Sequence, residues 1–238
     1  MSGDSDALRL PVNGIVLRLA VGVAVGGGLG WAAWLVSARF ARRYRVAAGE
    51  DPAASDPNLR SEPAGGSLLL AAAMVGMAAW GGYTAVQAGD TAQAVSAMVV
   101  TALLLAISLA DIQVRRIPDA LVLALLGWAV VQVAWLGAPG WASAALGLAV
   151  GGGIFLLLAL LTRGTMGMGD AKLMAAAGAL VGYPLILRAM FWGVVAGGVA
   201  ALVMLVAGRV RRKDFIAYGP YLAFGTWLVA AGMLGLWG

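Results

Sequence analysis

The sequence predicts an all-α, polytopic membrane protein with about eight transmembrane helices. Of its 238 residues, 62% are hydrophobic and only 11% are charged, and the mean hydropathy is +0.91. Soluble domains carry roughly 25% charged residues, so the composition excludes a soluble globular domain. The apolar residues fall into runs of about 20, the length that crosses the hydrocarbon core of a bilayer. The lipid bilayer is therefore an expected partner.

Eight apolar segments are predicted, and the sixth is short. It has roughly 14 residues and ends at Tyr183 and Pro184, so we expect it to begin in a protein-lined cleft rather than in lipid. Glycines four residues apart, such as Gly147 and Gly151, indicate close helix packing. In chain order the segments are 13–37, 67–88, 92–110, 119–136, 141–161, 170–183, 185–207 and 217–237.

Two parts of the chain are predicted to differ in role. Residues 1–66 are expected to hold one retained transmembrane helix and a cytoplasmic polar loop, because the acidic N-terminus is a poor signal peptide. The loop, 46–66, is rich in Pro, Gly, Ser and acidic residues, which is typical of loosely ordered chain. Residues 67–238 are expected to form the membrane domain that carries the candidate site.

Basic residues predict the orientation. Alternating the eight segments places twelve of them on one side and three on the other, so the positive-inside rule makes the first side cytoplasmic. Because these residues occur in short clusters at the ends of apolar runs, the net charge of +5 indicates membrane anchoring and no nucleic-acid partner. The twelve are Arg39, Arg42, Arg43, Arg45, Arg60, Arg115, Arg116, Arg163, Arg209, Arg211, Arg212 and Lys213, against Arg9, Arg18 and Arg188.

The residue inventory narrows the chemistry. The chain contains no Cys and no His, which excludes a Cys nucleophile, a Ser–His pair and a Cys/His zinc site. Acid–base chemistry near neutral pH therefore falls to carboxylates, lysine or tyrosine. We expect no metal and no cofactor.

The first polar interruption, SLADIQVRRIPDALVLALL, spans residues 108–126. Asp111 is predicted at a helix C-terminus, where the helix dipole disfavours a negative charge, and an acid at membrane depth indicates a functional site. Pairing with Arg115 or Arg116 is the alternative explanation. Pro118 and Asp119 suit the first turn of the next helix, so a structural role is favoured for Asp119.

The second interruption, GTMGMGDAKLMAAAGALVG, spans residues 164–182. Asp170 fits either a helix N-cap or a functional acid. Gly167 and Gly169 suit a tight turn that needs positive φ or close backbone approach. Lys172 opposes the helix dipole, so an anionic partner is expected for it, either a carboxylate or a substrate.

Asp111 and Asp170, 59 positions apart, are predicted at the same membrane face. Two carboxylates within a few Å share a proton, so one acts as a base on water while the other polarises a carbonyl group. This combination is aspartic proteolysis, which needs neither a metal nor a cofactor.

These residues resemble the type IV prepilin peptidases, membrane aspartic proteases of the GxGD type. The resemblance rests on Asp111 with Ile117-Pro118-Asp119, on the stretch from Gly167 to Leu173, GMGDAKL, and on the stretch from Tyr218 to Ala223, YGPYLA. It implies an eight-helix GxGD aspartyl protease fold with Asp111 and Asp170 as the catalytic pair. Gly167, Gly169, Lys172, Pro118 and Asp119 would be supporting residues.

The resemblance further implies a substrate and a place. The substrate would be a type IV prepilin or pseudopilin precursor, cleaved between its basic leader and its apolar helix at the cytoplasmic face of the bacterial inner membrane. Many relatives also carry paired Cys-x-x-Cys motifs and N-methylate the new terminus. This chain has no cysteine, so the resemblance does not extend to methylation.

Three other functions fit the same residues less well. A proton- or ion-coupled transporter would also place acids in a helix bundle, but near the bilayer midplane and often in repeats. A Ser–Lys peptidase would use Ser108 and Lys172. The last is a protein that keeps the fold without activity. The sequence leaves the oligomeric state open.

Overall fold

The computed structural model describes residues 12–47, 66–88, 90–161, 167–207 and 217–236. Over these residues the chain forms eight α-helices and no strand, which confirms the predicted all-α fold. Each helix overlaps one predicted apolar segment, but the first helix extends ten residues beyond the predicted 13–37 and takes in the first two residues of the predicted loop 46–66. The helices are α1 (Val12–Ala47), α2 (Gly66–Gln87), α3 (Thr91–Val114), α4 (Asp119–Leu136), α5 (Trp141–Leu161), α6 (Met168–Val181), α7 (Leu185–Val206) and α8 (Gly219–Met233).

Five of the helices in the described part of the chain are long and apolar enough to cross a membrane: α1, α3, α4, α5 and α7. Large apolar side chains on α5 and α7 face outward, among them Leu157, Phe191 and Val203, as contact with lipid requires. By contrast, α6 has only 14 residues. At 1.5 Å per residue it spans about 21 Å, less than the roughly 30 Å of the hydrocarbon core.

Consecutive helices run antiparallel, so helix ends gather in two groups. At one of these, named here the site end, the end of α3 meets the starts of α4, α6 and α8. The end of α1 lies there too, because Gln113 donates a hydrogen bond to Ser37 (3.3 Å) and the Arg116 guanidinium lies over the Tyr44 ring (5.8 Å). At the opposite, far end, the Tyr83 hydroxyl donates to the carbonyl of Leu236 (2.8 Å).

The described arginines separate between these two ends as predicted. Arg39, Arg42, Arg43 and Arg45 lie near the end of α1, and Arg115 and Arg116 follow α3, all at the site end. Arg18 and Arg188 lie near the starts of α1 and α7, at the far end. The following predicted basic residues lie outside the described part, as do residues 48–65 of the polar loop: Arg9, Arg60, Arg163, Arg209, Arg211, Arg212 and Lys213.

Glycines bring the helices into close contact. A Cβ on Gly26 of α1 would overlap the carbonyl oxygen of Met77 on α2. A Cβ on Gly178 of α6 would overlap the carbonyl oxygen of Gly147 on α5. Because lipid tails are as apolar as leucine, helices in a membrane associate through such close packing rather than through apolar burial. The packing role predicted for the glycine spacing is therefore confirmed.

Helix α6 lies at the centre of the bundle. Leu173, Met174 and Leu180 are fully buried, and α6 packs against α4, α5, α7 and α8. Most of its length from Ala171 onward is thus surrounded by protein, as expected for a segment too short to cross lipid, whereas Met168 and Lys172 in its first turns are exposed. This central position carries Asp170 to the middle of the site end.

Candidate active site

Asp111 lies in the last turn of α3 and is 5% exposed. The helix ends immediately after it: Arg115 adopts a left-handed conformation (φ 51°), and its N–H donates to the Asp111 carbonyl oxygen at 2.8 Å. Within the described residues no arginine nitrogen lies within ion-pair distance of the Asp111 carboxylate. The alternative explanation, pairing with Arg115 or Arg116, is therefore not realised as a direct ion pair, although the positive charge of Arg115 acts on Asp111 from a greater distance.

The Asp111 carboxylate is held by the start of α8. Its Oδ2 accepts a hydrogen bond from the backbone N–H of Gly219, at 3.0 Å in a buried position. A Cβ at residue 219 would lie 2.7 Å from that same oxygen, closer than side-chain carbons come to oxygen in proteins. Glycine is required here because the carboxylate occupies the space that a side chain would fill.

Asp170 is the third residue of α6 and is partly buried. The N-cap is Gly167, whose carbonyl oxygen accepts from the Asp170 N–H at 3.1 Å. The interpretation of Asp170 as the N-cap is therefore wrong. At the third helical position its negative charge is favourably placed toward the dipole of α6, and its side chain is available for the site.

The two carboxyl groups interact. Asp170 lies outside the five helices long enough to span a membrane. Burial, and to a smaller extent the charge of Asp111, together raise the pKa of Asp170 from 3.8 to about 6. Two acids from different helices thus stand close enough that the charge on one disfavours the charge on the other.

Tyr218 forms a third wall of the site. Burial and the charge of Asp170 raise the pKa of its phenol above 10.0, so the hydroxyl stays protonated at neutral pH. The ring packs on the face of α7, where a Cβ at Gly197 would lie 2.6 Å from it. The Tyr218 hydroxyl is therefore a hydrogen-bond donor beside the carboxylates.

The expected anionic partner of Lys172 is a carboxylate. Its Nζ lies 2.8 Å from Oδ1 of Asp119, the first residue of α4. The two side chains are 49% and 66% exposed, so the pair joins the starts of α4 and α6 at the surface and contributes little stability. Pro118 is buried at the N-cap of α4, one residue before the predicted first turn.

Of the two glycines predicted at the start of α6, only one occupies a position where a side chain would be crowded. A Cβ on Gly169 would lie 3.2 Å from Cβ of Ile117, in the connection between α3 and α4, so Gly169 permits a close approach as predicted. Gly167 has φ −67°, and its nearest neighbour would be the Asp170 carboxylate at 3.5 Å, an ordinary contact. The expectation of positive φ or crowding at Gly167 is wrong.

Other features of the described residues lie apart from this site. An apolar cavity of about 560 Å³ lies between α2, α3 and α8, lined mainly by Met77, Trp80, Leu105 and Trp227. No group of three acidic residues in the described part could hold a metal ion. The Ser108 hydroxyl donates to Leu104 in its own helix (2.8 Å) while Lys172 pairs elsewhere, so nothing supports a Ser–Lys pair.

Sequence reasoning missed the roles of Gly219 and Tyr218. Both residues belong to the YGPYLA motif, but the motif alone does not show which side chains they contact. The available signal was position: the motif opens the last predicted helix on the face where Asp111 and Asp170 are predicted.

The fold and this site define a polytopic helical membrane protein with two interacting carboxyl groups at one end of its bundle. Residues 98–202, which carry both Asp111 and Asp170, match the model of the type IV leader peptidase family. No solved structure matches the chain.

Curated relatives are proteins named prepilin leader peptidase/N-methyltransferase. The Burkholderia pseudomallei protein is 37% identical over 143 residues, covering 58% of this chain and 46% of the relative. The Pseudomonas aeruginosa protein is 34% identical over 163 residues (66% and 54%), and the Neisseria gonorrhoeae protein 31% over 174 residues (71% and 57%). The chain spans about half the length of the curated relatives it matches.

The raised pKa of Asp170 predicts how stability depends on pH. A carboxyl group whose pKa is 3.8 unfolded and about 6 folded binds its proton more tightly in the folded state. The free energy of unfolding therefore falls as pH rises from about 4 to about 6 and stays lower above. Asp170→Asn removes this loss, so it should raise the free energy of unfolding at pH 7.5 by about 2 kcal/mol and have little effect at pH 4.

Denaturation of the purified protein at both pH values measures this difference. Asp90→Asn is the matched control: Asp90 is an exposed N-cap of α3, and asparagine caps a helix equally well. It should leave stability unchanged at either pH. An equal gain from Asp170→Asn at pH 4 and pH 7.5 contradicts the assignment.

Proposed function

We propose that this protein is a membrane aspartic endopeptidase that cleaves the basic leader from type IV prepilins or pseudopilin-like precursors. The observation that carries the proposal is the meeting of Asp111 and Asp170 at the site end, with the charge of one acting on the other. The substrate class is supported by the relatives, which are prepilin leader peptidases by name. The proposal covers the peptidase half of that name.

The proposed mechanism uses one ionised and one protonated carboxyl group. Asp111, which accepts the Gly219 N–H, is the base, and Asp170, whose pKa is raised to about 6, is the acid, so the fraction of molecules in which it holds the shared proton falls as pH rises above about 6. Asp111 takes a proton from water, and the water oxygen bonds to the scissile carbonyl carbon while Asp170 protonates the carbonyl oxygen. The C–N bond then breaks as the proton held by Asp111 passes to the leaving amine and Asp170 takes back a proton from one hydroxyl of the tetrahedral intermediate, which leaves a carboxylic acid and restores both aspartates.

Other groups of the site support the pair in this proposal. The Tyr218 hydroxyl is placed to donate to the substrate backbone beside Asp170. Lys172 and Asp119 hold the starts of α6 and α4 together, and Pro118 and Gly169 allow α4 and α6 to begin close to each other. A transporter gains no support, because all four acids in the described residues lie at helix ends.

The proposed location is the inner membrane, with the site end at the cytoplasmic face. Six described arginines lie at that end and two at the far end, the asymmetry expected of a cytoplasmic side. A basic leader would remain in the cytoplasm while the following apolar residues stay in lipid. Residues 67–238 would form the peptidase domain, and residues 1–66 would add a helix and a cytoplasmic loop.

The first test removes each carboxylate. Asp111→Asn and Asp170→Asn should each lower the cleavage rate of a prepilin in membranes by about 10³-fold or more, and the double variant should be hardly worse than either single one. Quantifying the processed and unprocessed precursor against time measures the rates. Ser108→Ala is the control and should keep the wild-type rate, because its hydroxyl is bonded within α3. Near-normal cleavage by either Asn variant would exclude the proposed pair.

The second test concerns the contact between Gly219 and the Asp111 carboxylate. Gly219→Ala should slow cleavage by about 10²-fold, because the added Cβ must displace the Asp111 carboxylate and a misplacement of about 1 Å costs that much. The same assay measures it. Gly198→Ala is the matched control, since a Cβ there has no neighbour within 4 Å. A wild-type rate in Gly219→Ala would show that the contact does not hold the carboxylate in place.

The third test fixes the orientation, using the natural absence of cysteine. Met168 and Tyr183 are exposed residues at the site end and the far end. In spheroplasts, whose inner membrane is intact, a membrane-impermeant thiol reagent should label Tyr183→Cys but not Met168→Cys. After the membrane is opened, both should react. Labelling of Met168→Cys before opening would reverse the proposed topology.

A further inference from the structure

The two helices that carry the carboxylates are not direct backbone neighbours in the bundle. Within the described residues, the backbones of α3 and α6 make no direct approach, and α4 and α8 lie between them. The separation of Asp111 from Asp170 is therefore set by whatever joins these intervening helices to both. At the site end, α8 meets α3 through the Gly219 N–H and the Asp111 carboxylate.

A second connection lies at the far end and is made by Gln132 of α4. This amide side chain is fully buried in the membrane domain. Its Oε1 accepts from the Ser96 hydroxyl of α3 at 2.7 Å, and its Nε2 donates to the Leu180 carbonyl of α6 at 3.2 Å. One side chain thus binds both helices that carry the carboxylates.

The carbonyl of Leu180 needs this donor. In a continuing α-helix its partner would be the N–H of residue 184, but residue 184 is proline, which has no N–H. An unsatisfied carbonyl in a dry membrane interior is costly. The Gln132 amide replaces the missing backbone donor, so it holds the end of α6 at a fixed position relative to α4.

The remaining hydrogen bonds fix the amide in one orientation. Nε2 also donates to the Ala138 carbonyl at 3.4 Å, in the connection between α4 and α5. The Trp128 indole N–H donates to the Ser96 oxygen at 3.3 Å. Because carbonyl oxygens only accept, Nε2 must face Ala138 and Leu180, and Oε1 is left to accept from Ser96. The bridge therefore has a single arrangement.

We propose that Gln132 is a positioning residue that sets the spacing of the Asp111 and Asp170 carboxyl groups from the opposite end of the bundle. Ten residues of rigid helix separate Leu180 from Asp170, about 15 Å, and fifteen separate Ser96 from Asp111, about 22 Å. A slide or tilt of α6 against α3 at the far end moves the carboxyl groups by a comparable distance. The predicted effect of Gln132 on catalysis rests on the proposed function, whereas its predicted effect on the spacing of the carboxyl groups does not.

A distance measurement tests the spacing directly. Ile112 and Met168 are exposed residues beside Asp111 and Asp170, and the Cys-free chain allows a spin label at each in the full-length protein in nanodiscs. Gln132→Leu should broaden or shift the label–label distance distribution relative to the doubly labelled parent. Ser96→Ala removes only the α3 half of the bridge with a minimal volume change, so it should cause a smaller change in the same direction.

The matched control is Thr84→Val. Thr84 is fully buried, but its hydroxyl bonds only to Gly81 in its own helix (3.1 Å), so the variant removes a buried hydrogen bond without touching a bridge. It should keep the parent distribution. A parent-like distribution in both Gln132→Leu and Ser96→Ala, or an equal change in Thr84→Val, overturns the inference.

Prepilin cleavage supplies the second readout. Gln132→Leu should lower kcat by about 10²-fold with KM within a factor of about two, because misplaced catalytic groups slow chemistry rather than binding. Wild-type kcat in Gln132→Leu beside an active parent overturns the inference and leaves the proposed function intact. Absence of cleavage by the parent, with the distance change as expected, overturns the function and leaves the bridge intact.

Discussion

The hydrogen bond from the Gly219 N–H to the buried Asp111 carboxylate is the contact on which the site end depends. Asp111 is almost fully buried at the C-terminus of α3, where the helix dipole opposes a negative charge. A buried carboxylate without a partner is strongly destabilising. The backbone N–H offsets part of this cost, and it reaches the carboxylate only because α8 starts beside the end of α3 and begins with glycine.

Close packing at glycines elsewhere in the bundle supports the site end by keeping α6 at the centre. The contact between Gly147 and Gly178 brings α5 against α6 with no side chain between the backbones, and this keeps α6 at the centre. A central helix needs no lipid-facing length, so it can be shorter than the bilayer core. Asp170 near one end of this helix and the Leu180 carbonyl near the other then find polar neighbours from the protein.

Sequence reasoning predicted the helices well because the length of an apolar run is a local property. All eight segments were found, and the short sixth one was placed correctly among protein. The side shared by Asp111, Asp119 and Asp170 also followed, since alternation of the helices fixes it. The expectation of an anion near Lys172 was confirmed, but two carboxylates and a substrate were all possible partners, and only the packing of α4 against α6 selects Asp119.

The missed features depend on approaches between distant parts of the chain. Gly219 looks like an ordinary helix start, and its role comes from a carboxylate 108 positions away. Gln132 is a single amide in an apolar run, and its partners lie 36 and 48 positions away. The N-cap of α6 was misassigned because aspartate is a frequent cap, whereas Gly167 fills that position and leaves Asp170 one turn further in.

The contact between Gly219 and Asp111 and the Gln132 bridge meet the same physical constraint with different groups. In water, a carboxylate at a helix end or a carbonyl before a proline is satisfied by solvent, but in a packed membrane bundle it needs a donor from the protein. Each donor comes from a helix lying between α3 and α6, so satisfying the polar group also fixes how far apart those two helices stand. The polar groups that are most expensive to bury are thereby the ones that define the geometry of the carboxylate pair.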